Sequence, residues 1–130
     1  MQYSVGLLLL FVSYSVLAVG SSNDMLLGSW KSTRPDNHCT ETMTFRDDGT
    51  LSATSGKEIT ENQYTLATPQ IKGGRYTLTI HVVKDNGGKD CIDSTADDTG
   101  QTEVVYLEGL SETQMKMCGV NGHCHTWTHH

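Results

Sequence analysis

Residues Val5 to Val19 form an uncharged, mostly apolar run, VGLLLLFVSYSVLAV, with small residues at Ala18, Gly20, Ser21 and Ser22. This run decides what the remainder of the chain can become. An apolar core with a small-residue exit is the pattern of a cleavable secretory signal, here cut after Ala18 or Gly20. A membrane-spanning helix needs roughly 20 apolar residues, and the run is shorter. A lipid-anchored form would need a Cys just past the signal, where Ser21 and Ser22 stand. The sequence therefore divides into a signal peptide over residues 1–20 and a single domain over residues 21–130. The mature protein is expected to be periplasmic or secreted, with no membrane span after cleavage.

About 110 residues are left to fold, a size at which a hydrophobic core alone is marginal. Cys39, Cys91, Cys118 and Cys124 all lie in that part. An even set of cysteines in an exported chain reads as two disulfide bonds. No pair has the two-residue knuckle spacing of a zinc site. The net charge of −6 argues against a nucleic-acid partner.

Apolar residues in the mature part alternate instead of recurring every three or four positions, which predicts strands and almost no helix. Eight strands can be drawn: Gly28–Arg34, Cys39–Arg46, Thr50–Ser55, Gln63–Ala67, Arg75–Val83, Thr102–Glu108, Thr113–Cys118 and His123–Thr128. Asp47-Asp48-Gly49 supplies a tight hairpin tip. A long polar loop, Asp85 to Gln101, separates the fifth and sixth strands. The fold class is all-β: an eight-stranded antiparallel up-and-down β-barrel, whose closure removes the exposed edges of an open meander. A two-sheet sandwich is the alternative.

Leu27-Gly28-Ser29-Trp30-Lys31 resembles the opening strand of the lipocalin-like (calycin) barrels, in which a Gly-x-Trp closes one end. Cys39-x-Glu41 followed by Thr44-Phe45-Arg46-Asp47-Asp48-Gly49-Thr50 is similar to small bacterial secreted members of that group. The resemblance covers the mature chain and implies structural roles for Gly28 and Trp30. It also implies a basic residue from the last strand packed on the Trp, and nothing in the closing HCHTWTHH matches one. His129 and His130 read as a frayed end.

Threading the strands up and down gathers all four cysteines at the end opposite Trp30. Alternate residues face opposite sides of a strand. Met43 and Phe45 thus place Cys39 and Glu41 inward, whereas Met115, Met117 and Trp127 turn Cys118 and Cys124 outward. Four cysteines allow three connectivities, and parity favours Cys118–Cys124 with Cys39–Cys91 without settling the choice. Parity also brings Ser32, Arg34, Glu41, His123 and His125 to the inner side near the mouth. These are the candidate ligand-binding residues, above an apolar interior that includes Trp30, Met43, Phe45, Leu78 and Trp127.

Other chemistry is weaker. His123-x-His125 shares a strand face and could meet a transition metal, but no third ligand is close in sequence, so no metal site is expected. Asp90, Asp93, Asp97 and Asp98 lack the ligand spacing of a calcium loop and read as solvated. The cysteines are oxidised and the serines lack a strained nucleophile turn, so no catalytic residue and no cofactor is expected. The expected function is non-enzymatic binding of a small, partly apolar ligand. The alternative is an interaction or inhibitor module acting on another exported protein such as a hydrolase.

Overall fold

The computed structural model describes residues 23–130, so the expected signal peptide lies outside the described residues. A single helical turn, α1 (Asn23–Leu26), precedes eight strands. These are β1 (Gly28–Thr33), β2 (Thr40–Phe45), β3 (Thr50–Ser55), β4 (Glu58–Ala67), β5 (Tyr76–Asp85), β6 (Thr102–Glu108), β7 (Gln114–Cys118) and β8 (Cys124–His129). Each strand pairs antiparallel with the next, and β8 returns to β1 through Trp30↔His129 and Lys31↔Thr128, closing the barrel. The all-β expectation holds, and the sandwich alternative does not.

Seven of the strands coincide with the sequence reading to within about two residues, apart from normal fraying of ends. The exception is β4, expected from Gln63 and starting at Glu58. Its first half, EITEN, shows no apolar alternation because the residues it buries are Thr60 and Asn62. A two-residue hairpin at Gly56-Lys57 joins it to β3. The register on β5 shifts between Glu61 and Asn62, a bulge of the kind that bends a strand and re-aims its side chains.

The core is concentrated at the Trp30 end. Leu26, Trp30, Leu51, Leu78 and Leu107 are fully buried, with Met115 and Phe45 nearly so. Phe45 and Tyr64 meet edge to face with centroids 5.1 Å apart, and the Tyr64 hydroxyl donates to the Arg46 carbonyl at 2.7 Å. Burying a Tyr this way satisfies its one polar atom while keeping its apolar area in the core.

Trp30 itself is the floor. Its Nε1–H donates to the Leu26 carbonyl at 2.8 Å, so α1 is drawn across the barrel end. The His129 ring packs edge-on against the indole, centroids 4.7 Å apart. His129 also places Nε2 3.0 Å from the Leu27 carbonyl, and its backbone N–H donates to Thr113. Two expectations are thereby corrected. The last strand does supply a residue against Trp30, and the chain end is not frayed: His130 N–H bonds the Ser29 carbonyl. The reading failed because it treated two terminal histidines as a tail, whereas the β1–β8 ladder needs that segment to close.

This packing explains Gly28. Its φ is +106°, and a Cβ there would stand 2.7 Å from His129 Nε2. Gly28→Ala is expected to cost about 2 kcal/mol or more, from left-handed backbone strain and the collision together. In urea unfolding, the double variant with His129→Ala should be less unstable than the sum of the single variants, because the collision is gone. Additive losses would show that Gly28 answers to its backbone angle alone.

Two disulfides, Cys39–Cys91 and Cys118–Cys124, lie at the other end, where β2 and β8 begin and β7 finishes. Cys118 and Cys124 are direct cross-strand partners. The first bridge closes a sequence separation of 52 residues and the second only 6. On chain-entropy grounds the long loop is worth about 4 kcal/mol and the short one about 2 kcal/mol. Replacing Cys39 and Cys91 together by Ser should therefore lower the urea-unfolding free energy by roughly twice as much as replacing Cys118 and Cys124. Equal losses would mean that native packing, and not loop closure, sets the contribution.

Candidate functional site

β5 delivers the chain into residues 86–101, and this segment folds back over the disulfide end of the barrel. Cys91 anchors it to β2, and Cys91 N–H donates to the Ser55 hydroxyl at 3.0 Å. Asn37 Nδ2 reaches the Cys91 carbonyl at 2.7 Å, and Lys57 N–H bonds the Lys89 carbonyl at 2.8 Å. A Cβ at Gly88 would stand 2.3 Å from the Lys57 carbonyl, so only glycine lets the segment cross the β3–β4 turn this closely. Acidic side chains shape its turns: Asp90 accepts from the Ile92 and Ser94 N–H groups, and Asp97 from Thr99. The Thr99 hydroxyl and backbone hold the Asp97 carboxyl below its usual value.

Beneath this segment the barrel is hollow. The cavity measures about 410 Å³, within the range of small-molecule sites. Met43, Leu51, Ala53, Ile80, Val105, Met117 and Trp127 contribute apolar surface, and Arg34, Glu41, Glu58, Asp98, Glu103, His123 and His125 line it with charge and imidazole. Trp127 is almost fully buried and forms part of both the core and the cavity wall.

Of the residues expected at the site, Arg34, Glu41, His123 and His125 line this one cavity. Arg34 is held by Asp36 at 3.4 Å and by Glu41 at 3.9 Å. Ser32 points inward and is buried, but its hydroxyl donates to the Thr126 carbonyl at 2.9 Å, tying β1 to β8 instead of facing the cavity. His123 and His125 are exposed on the wall. Neither belongs to the cluster of ligand atoms found among the described residues, which is Glu58, Asp85 and Asp98, all within 4.8 Å of one another.

Sequence reasoning missed Glu58, Asn62, Asp98 and Glu103. Glu103 was within reach, since it shares parity with inward Val105 and Leu107 on β6. Glu58 and Asn62 lay in the unrecognised half of β4. Asp98 is placed by tertiary contact: its N–H donates to Asp85 Oδ2 at 2.9 Å.

Two of these carboxyls, Glu58 and Glu103, are shifted upward. Glu58 is pushed up to about 7, first by desolvation, then by Asp85, Asp90 and Asp98, and by a hydrogen bond shared with Asp85. Glu103 is raised by desolvation and by the charges of Asp98 and Glu41. Asp85 is buried, and its oxygens accept N–H bonds from Gly87 at 2.8 Å and Asp98 at 2.9 Å. The group can therefore hold a proton between Glu58 and Asp85, or meet a cation.

A carboxyl raised from 4.5 to about 7 on folding binds its proton more tightly in the native state. Its contribution to stability is full below the unfolded value and lost as pH rises through the folded one. Glu58→Gln should thus raise Tm by about 3 °C near pH 8 and change it little near pH 4. Thermal melts at both pH values check this, and an equal shift at each would remove the role of Glu58 ionisation.

No protein-family model, curated protein or solved structure matches this chain.

Proposed function

We propose that this protein is an exported, non-enzymatic binding protein, a lipocalin-like barrel that takes a small, partly apolar ligand at its disulfide-rimmed end. The observation that carries the reading is the cavity of about 410 Å³ inside a closed eight-stranded barrel, apolar within and polar at its mouth. A shaped hollow with a few convergent polar groups is the general form of a small-ligand site. A docking or inhibitor module works through surface loops and gains nothing from an interior left open. Export is supported by the apolar run Val5–Val19 and by two disulfides, which persist in oxidising compartments. Calycin kinship is supported by Gly28-x-Trp30 at the first strand and by the ring from the last strand packed on that Trp.

Native mass spectrometry of protein purified from its source is expected to show a non-covalent mass increment that disappears on denaturation. A barrel that is empty in every preparation overturns the reading. Glu41→Ala, purified the same way, should reduce occupancy, with affinity about tenfold weaker, while the far-ultraviolet circular dichroism is unchanged. Undiminished occupancy would leave Glu41 only its contact with Arg34.

A further inference from the structure

The charge in the cavity is unbalanced. Four carboxylates, Glu41, Glu58, Asp98 and Glu103, share the wall with one guanidinium, Arg34. Arg34 is already engaged by Asp36 and Glu41. Among the described residues, no ion pair reaches Glu58, Asp98 or Glu103. Glu41 and Glu58 are half-buried and Asp98 and Glu103 are exposed at the mouth, so the wall carries a negative potential, partly screened by solvent, that the protein itself leaves uncompensated.

Hydrogen bonding points the same way and does not depend on the acids. Asn62 is 4 % exposed and lines the cavity. Its Nδ2 donates to the Leu51 carbonyl at 3.1 Å and to Thr60 Oγ1 at 2.9 Å. No donor among the described residues reaches its Oδ1. Among the described residues the one buried side-chain nitrogen or oxygen without a hydrogen-bond partner is Arg34 Nε, so Asn62 Oδ1 opens onto the cavity, where it can accept from a ligand. The wall therefore offers acceptors and negative charge to a ligand that brings donors and positive charge.

A bare metal ion answers only half of this. Both Asp85 oxygens already accept backbone N–H groups, so a metal would have to share the most buried acid of the cluster with the backbone. A metal would also leave the apolar surface of Trp127 and Met43 in contact with water. An ammonium on an apolar body uses both parts of the cavity.

We propose that the cavity selects small organic cations: a protonated amine whose N–H groups meet Glu103, Asp98 and Asn62 Oδ1, with its apolar body against Trp127 and Met43. The inference rests on the small-ligand reading and specifies the ligand class for the same cavity. Glu58, pushed up to about 7, adds to the negative wall beside Asp98 above that pH.

The test uses the disulfide-intact mature protein and three probes with one apolar body: phenylbutylamine, phenylbutanol and phenylbutyrate. Isothermal titration is expected to show the amine binding at least about tenfold more tightly than the alcohol, with the carboxylate weakest, since one uncompensated charge pair is worth about that much. Glu103→Gln should weaken the amine about fivefold or more and leave the alcohol unchanged. Asp98→Asn provides the same comparison should the first variant fail to fold. Equal affinities for amine and alcohol, or a preference for the carboxylate, would overturn the cation assignment and leave the small-ligand reading standing. No binding by any of the three overturns both.

Discussion

Trp30 joins the two ends of the folded chain. Its indole N–H draws in α1 through Leu26, its edge receives His129 from the final strand, and the bare backbone of Gly28 makes room for that ring. A barrel of short strands has no stable form until its first and last strands pair, because two open edges would otherwise remain. Here the β1–β8 ladder is short, with Trp30↔His129 and Lys31↔Thr128 as its registered pairs. Side chains reinforce it: Ser32 to the Thr126 carbonyl on one side, and the Trp30–His129 contact on the other. Closure and floor are thus one set of interactions, and the blind end of the cavity is a consequence of them.

Stability is distributed unevenly along the barrel axis as a result. The fully buried aliphatic and aromatic side chains lie toward the floor, where Leu26, Leu51, Leu78 and Leu107 surround Trp30 and Phe45. The mouth has little apolar burial to offer, since Thr60 and Asn62 occupy inward positions on β4 and the centre is hollow. Covalent bonds take over where packing ends. Cys39–Cys91 fixes the 86–101 segment across the opening, and Cys118–Cys124 secures the β7–β8 turn. A small domain can keep an open interior only if something other than its core holds the open end.

The same gradient decides what could be read from the sequence. Strands near the floor announce themselves by alternation, as Met43 and Phe45 do on β2 and Met115 and Met117 on β7, and parity from those anchors brought Arg34, Glu41, His123 and His125 to one cavity. The method loses its signal where inward residues are polar, because the alternation it depends on is an alternation of hydropathy. The first half of β4 is such a place, and Glu58 and Asn62 went with it. Glu103 was recoverable, standing two residues before inward Val105. Asp98 was not, since its position follows from a bond between its N–H and Asp85 across a loop whose path no local pattern specifies. His129 was misread for a different reason: a terminal residue is ordered only by its partners, and Gly28 and Trp30 lie about a hundred positions away.

Glu58 and Glu103 are displaced upward first by desolvation and then by the neighbouring carboxylates, so placing these acids together at the mouth raises the energy of the folded state. A sequence selected for stability alone would disperse such charges, and natural chains break local consistency mainly at places of use. The arrangement is also not an accident of one strand. β4 supplies Glu58, β6 supplies Glu103, and Asp98 arrives on a segment held by a disulfide and by Asp85, a buried acid at the end of β5. The rim that the cysteines stabilise and the acidic wall are therefore one construction: the bridge that keeps the mouth from opening also contributes to holding Asp98, a carboxylate from outside the strands, over the cavity. A barrel that needed the bridge only for stability would have no reason to bring Asp98 with it.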